Sequence, residues 1–200
     1  MVNNYEYIIA SLPVPGSDSG AVDTGALLDF IRSQCSEKDV ELLECLQDGF
    51  DPAKLDYGFY VKAGKSSNGF LREFLLYDLL LRDTKAEYLN RELDRPEGQD
   101  IVPLPGTADE YETQACPDYD EKPAVLAVLQ QDDLLARERG LDKLLWDKAD
   151  DLTRMHLFDM DVILAVAAKL LITERWNRLD PETGRELFRN LIQEIRNTRR

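Results

Sequence analysis

Residues 158–180 read FDMDVILAVAAKLLITERWNRLD, and the fold turns on where that stretch goes. Between Val162 and Ile172 ten of eleven residues are apolar, Lys169 being the exception. A membrane span needs roughly 20 predominantly apolar residues. This run is shorter and Lys169 interrupts it, so it is not transmembrane. Because it is apolar on every side, it predicts the central, most buried helix of a helical protein. Directly behind it stand Glu174, Arg175, Trp176 and Arg178. That cluster has two readings. Either the helix emerges into water, with Trp176 on the core and the charges paired between helices, or it forms a contact surface, since Trp and Arg are enriched at binding hot spots.

Downstream, Asp180 and Pro181 predict the cap of a last helix, with Leu187, Phe188, Leu191, Ile192 and Ile195 as its apolar stripe. Upstream, everything after Pro123 reads helical, and Leu141, Leu144, Leu145, Leu152 and Met155 keep one face. Asn68 predicts the cap of a long helix to about Leu93, its core stripe running through Leu71, Phe74, Leu75, Leu81, Tyr88 and Leu89. Ser36 with Asp39 resembles a capping box ahead of Leu42, Leu43 and Leu46, and Gly49 stops that helix. Leu27, Leu28 and Ile31 mark another helix over Thr24–Cys35. Tyr5 to Leu12 fits a helical stripe and a strand alternation equally well, and a Gly/Ser-rich connector runs from Pro13 to Asp23. With no βαβ alternation and no internal repeat, the expectation is all-α, a packed antiparallel helical bundle. Residues 1–93 and 123–200 are its two helical halves, sharing one globular domain. Residues 94–122 join them as an acidic loop with four prolines, two glycines and nine acids against two bases.

The charge of −15 leaves no basic face for displacing counterions from phosphate, so nucleic acid is not an expected partner, nor is an anionic lipid surface. MVNNYEY at the start lacks the features of a signal peptide. Cys35, Cys45 and Cys116 are odd in number and form no CxxC pair, which predicts free thiols in a reducing cytoplasm.

Candidate chemistry reads poorly. Ala63-Gly64-Lys65-Ser66 resembles the tail of a phosphate loop, but five residues separate Gly58 from Gly64 where the motif needs four, and a flexible loop is the better reading. His156, the sole histidine, sits near a helix junction and reads as structural. Asp118, Asp120 and Glu121 lack the glycine and ligand spacing of a calcium loop. Asp147, Asp150 and Asp151 share a helix with Lys143 and Lys148, so ion pairing accounts for them. No catalytic, cofactor-binding or metal-ligating residue is assigned, and no cofactor is expected.

Three stretches carry a resemblance: Tyr5-Glu-Tyr-Ile-Ile-Ala-Ser-Leu-Pro13, Phe70-Leu-Arg-Glu-Phe74 continuing to Leu81-Arg-Asp83, and Phe158-Asp-Met-Asp161 through Ile172-Thr-Glu-Arg-Trp176 to Asp180. Together they resemble a bacterial family encoded beside V-type (A-type) ATPase subunits. That family is similar in turn to the ATPase's rotor-coupling subunit, lettered C and in eukaryotes d. Leu81-Arg82-Asp83 looks like the Leu-Arg-Asn of that rotor-coupling part, and Glu174 and Arg175 look like the Glu and Arg on its late helices. The full-size part is built from three similar helical units and is far longer, so a shortened version is what the resemblance carries. It implies a non-catalytic role in ion or proton transport, coupling the central stalk to the membrane rotor ring from the cytoplasmic face of the inner membrane. Its implied partners are other V-type ATPase subunits, and its implied contact residues are Arg82, Asp83, Glu174, Arg175, Trp176 and Arg178. Two alternatives stand beside it: a helical adaptor or accessory protein of the same complex, and a metal-dependent enzyme using the acidic clusters.

Overall fold

The computed structural model describes residues 5–11, 23–105 and 116–197, the last two without their side chains. The connector over 13–22 and the centre of the acidic loop, with Asp109, Glu110, Tyr111 and Glu112, lie outside the described residues. Every regular element among the described residues is helical. The chain divides into two units, one made of residues 1–50 with 149–200 and the other of 51–148, so that 94–122 lies inside the second.

In the first unit the described part of the ambiguous N-terminal stretch is a helix, α1 (Glu6–Ser11), with Ile8 and Ile9 buried; Leu12 lies outside the described residues. The Tyr5 N–H donates to the Phe158 carbonyl at 2.7 Å, which ties the start of α1 to the turn over 154–159. α2 (Thr24–Gln34) starts at Asp23, whose carboxylate accepts from the Ala26 N–H. α3 (Glu37–Gly49) starts at Ser36, whose hydroxyl accepts from the Asp39 N–H and donates to the Asp39 carboxylate at 2.6 Å. Leu43 and Leu46 of α3 are buried and Leu42 is half-buried.

α8 (Met160–Leu179) is the centre of this unit, with α2, α3 and the last helix, α9 (Pro181–Asn197), packed on it. Twelve of its twenty residues are buried, and Ile163, Leu164, Ala167 and Ala168 are wholly inaccessible. Burial of one such leucine contributes about 2 kcal/mol, so the all-round apolar pattern is what places this helix in the middle. Asp159 opens α8 by accepting from the Val162 N–H, and Asp180 closes it. Asp180 also accepts from the Glu182 N–H and the Thr183 hydroxyl, which starts α9 after a one-residue turn. α8 and α9 run antiparallel: Asn177 lies against Gly184 near the turn, and Lys169 reaches Glu194 farther along. A Cβ at Gly184 would lie 2.0 Å from Asn177 Oδ1 and 2.7 Å from its backbone N, so only glycine permits this approach.

In the second unit a 3-10 turn at Pro52–Lys54 leads to α4 (Tyr57–Gly64), opened by Asp56, which accepts from the Phe59 N–H at 2.7 Å. α5 (Gly69–Glu92) starts at Asn68, whose amide oxygen accepts from the Leu71 N–H at 2.7 Å. α6 (Lys122–Leu129) packs on α5, and α7 (Leu134–Thr153) follows, its last residues counting with the first unit. α5 and α7 are antiparallel, because Lys85 pairs with Glu138 while Tyr77, two turns earlier, lies under Lys148. Met155 departs from the expected face. α7 ends at Thr153, the helical period ends with it, and Met155 is 90% exposed in the following turn.

The flanks of the acidic loop are pinned to α5. The chain leaves the helix through left-handed Asp94 and Asp100 and the Gly98 turn. The Asn90 amide holds the Gln99 carbonyl at 2.7 Å, and the Val102 N–H donates to Asp83 at 3.0 Å. On the far side Cys116 is buried, and the Tyr119 hydroxyl lies 2.9 Å from that of Thr84. Composition marks 94–122 as an acidic loop and says nothing of these anchors, which are single side chains that carry no periodic signal.

Candidate functional site

The six candidate contact residues fall into two groups, one in each unit. Arg82 and Asp83 sit on α5 among buried polar groups. The Arg82 Nε donates to Asp78 Oδ2 at 2.7 Å, and the Tyr60 hydroxyl lies 3.3 Å from the same oxygen. Burial works to lower the Arg82 pKa, but the Asp78 charge and hydrogen bond, with Tyr60 and Asp142, raise it overall. The Tyr60 hydroxyl is pushed well up, first by burial and then by Asp78. Asp78 and Asp142 are each 5% exposed, so this guanidinium offsets charge that would otherwise stand buried.

Asp83 does not share that pairing. It is 1% exposed, its Oδ1 accepts from Val102, and its Oδ2 has no hydrogen-bond partner. Burial raises its pKa to about 7, the Val102 N–H opposing and the Asp78 charge adding to the rise. A buried acid of this kind positions a backbone segment, and it is not available for contact with a partner.

At the end of α8 the four-residue cluster separates by face. Trp176 is 1% exposed and belongs to the core, so its ring is not an interfacial anchor. Glu174 pairs with Arg178 one turn on, within the same helix rather than between helices. Arg175 and Arg178 are the exposed members. Sequence spacing already separates Trp176 from its neighbours on a 3.6-residue turn, since Ile172 and Thr173, one turn back, are buried too.

The first unit also brings together residues that sequence reasoning left scattered. Lys169, 4% exposed, donates to Asp150 Oδ1 at 2.5 Å and Glu194 Oε2 at 2.6 Å, joining α7, α8 and α9. Beside it a small cavity of about 110 Å³ is also lined by His156 and Thr153. His156 Nδ1 lies 2.5 Å from Asp159 Oδ2 and 3.6 Å from Asp161 Oδ2. The Asp159 hydrogen bond raises the His156 pKa, burial opposing it and the Asp159 and Asp161 charges adding to it. The only early signal was Lys169 itself, a cation in an apolar run.

The remaining candidates are accounted for by packing. Gly58 through Gly64 lie inside α4, so this stretch is helix rather than the expected flexible loop, and Lys65 follows a helix C-terminus where a phosphate loop would precede an N-terminus. Asp118 and Glu121 pair with Lys122 and Lys148. Asp147 and Asp151 pair with Lys143 and Arg154. No group of ligands that could hold a metal occurs among the described residues. Burial pushes the Cys35 thiol up to about 11, with Asp39 adding and the Tyr5 hydroxyl opposing, and burial also raises that of Cys116. Such thiols are poor nucleophiles at neutral pH.

These features define an all-α protein whose buried polar residues tie helices together. The chain belongs to the family described as "Protein of unknown function (DUF2764)", which it matches over residues 53–198. No curated protein and no solved structure matches it. Among the described residues no helix is long and apolar enough to cross a membrane.

Proposed function

We propose that this chain is a non-catalytic subunit of a bacterial V-type ATPase or ATP synthase, coupling the central stalk to the membrane rotor ring from the cytoplasmic side. The reading starts from the resemblance to the rotor-coupling part of that machine. What supports it in the fold is the division of labour at the end of α8, where Trp176 is locked in the core while Arg175 and Arg178 face solvent one turn apart. A helix fixed by a buried tryptophan presents those charges on a stiff support, which a part that passes torque requires. Arg82, 39% exposed at its side chain, is the corresponding surface group of α5, held in place by Asp78.

The test is affinity purification of the tagged chain from native membranes, wild type beside an Arg175→Glu, Arg178→Glu double variant. Recovery of central-stalk and ring subunits together, diminished in the variant, is the expected result. Stalk or head subunits without the ring favour the accessory-adaptor reading. Absence of every ATPase subunit overturns both.

A further inference from the structure

A cavity of about 770 Å³ opens between α4, α5 and the stretch carrying Leu104 and Pro105. Leu75 and Leu79, each 1% exposed, belong to its floor. Leu76 and Leu104 stand on its walls, Leu76 being 43% exposed. Its volume falls within the roughly 300–1,000 Å³ of small-molecule sites, which are mostly apolar with a few placed polar groups. Those polar groups are gathered at one rim: Lys65, which follows the last residue of α4, with Arg72 and Glu73 of α5. The Arg72 Nη1 is anchored by the Ser66 carbonyl at 2.7 Å, and among the described residues its other N–H groups have no hydrogen-bond partner. Lys65 has no carboxylate partner among the described residues.

We infer that this groove binds an amphiphile with one anionic head and an apolar chain, a fatty-acid-like carboxylate being the simplest case. The chain lies along Leu76 and Leu104 and the head meets Lys65 and Arg72. Three observations select this occupant. The rim carries two cations and one acid, a net of one positive charge, in a chain whose formal charge is −15. That matches a single anionic head rather than a polyphosphate. A partner helix fits poorly, because stable protein interfaces bury about 1,600 Å² and Leu76 is the only exposed large hydrophobic residue on α4 or α5 among the described residues. A neutral apolar ligand would leave the two cations of the rim without a role.

The experiment is calorimetric titration with dodecanoate below its micelle concentration, beside dodecyltrimethylammonium and dodecanol. Expected is saturable one-to-one binding of dodecanoate, weakened about fivefold by Lys65→Glu and at least about tenfold by Leu76→Asp, with the ammonium analogue weaker still. Melting curves establish that each variant is folded. Methyl spectra of the wild-type protein locate the ligand without any substitution, and shifts at Leu76 and Leu104 are the expected signature. No saturable binding, equal binding of all three amphiphiles, or methyl shifts centred on Leu134 or Met155 would each overturn the assignment. The partner-capture experiment can fail while this one succeeds, and the reverse, because the two use separate residues.

Discussion

Replacing Asp83 by asparagine should stabilise the protein in mild alkali and not in acid. The folded carboxyl titrates at about 7 against an ordinary 3.8, chiefly because burial penalises its charge. The sign follows from proton binding. Between those two values the folded state holds a proton that the unfolded chain has released, so stability falls as pH rises through the window and the loss is complete above about 7. Three pK units correspond to about 4 kcal/mol, set against a typical total stability of about 5–15 kcal/mol. Asparagine keeps an oxygen for the Val102 N–H and carries no charge. Its amide hydrogens have no ready partner, a cost of about 1–3 kcal/mol that does not change with pH.

The variant should therefore be more stable than the wild type by about 2 kcal/mol near pH 8.5, and equal or less stable near pH 4.5. Urea unfolding of both proteins at the two values measures this. Only the difference between them matters, because the two proteins share the other 38 acids. The gap should move by about 3 kcal/mol between the two conditions. A gap constant to within about 0.5 kcal/mol would show that Asp83 titrates like an exposed acid, and the account of the orphaned Oδ2 would be wrong.

Three further outcomes are expected. Gly184→Ala should lower stability by about 2 kcal/mol or more in thermal unfolding, because the new Cβ meets the Asn177 backbone and not only a movable side chain. Leu164→Asp and Ala168→Asp should leave the protein unfolded by circular dichroism, since both positions are wholly buried and an unpaired charge there costs several kcal/mol. Asp159→Ala should lower the His156 pKa, read from the one histidine in the proton spectrum. The stability that this pair adds to the wild type is present below the unfolded histidine value and is lost as pH rises through the higher folded one.

The helices read most clearly are those marked twice. α5 has Asn68 at its start and apolar residues at helical spacing along its length, and its observed span, Gly69–Glu92, ends one residue short of the expected limit. α9 has Asp180 with Pro181 at its start and Phe188, Leu191, Ile192 and Ile195 on one face. Where the marks disagreed, the reading failed. Tyr57–Gly64 begins and ends among glycines and polar residues, too short for a convincing period, yet the Asp56 cap and packing on α5 hold it as helix. Tyr5 to Leu12 supported two periods, and the backbone bond to Phe158, remote in sequence, accompanies the helical one.

The polar interior was harder to read for a physical reason. Hydrophobic periodicity reports which face of a helix is buried, but it does not say which charges that face carries inward. Asp78 and Asp83 lie on the buried side of α5 beside Tyr77 and Leu79, and their cost depends on Arg82, Tyr60 and Val102, contacts made across the fold. Lys169 is the instructive exception. In an apolar run a lone lysine must either snorkel to water or find acids, and this position lies too near the middle of α8 for water. Its partners therefore had to come from whichever helices pack around it, one acid from each of α7 and α9. Which acids is a question of register, set by the one-residue turn at Asp180 and the turn over 154–159. Moving either turn by one residue would rotate Asp150 or Glu194 by about 100° away from the ammonium. The triad thus ties the registry of three helices to one buried charge, and that coupling exists only once the chain has folded.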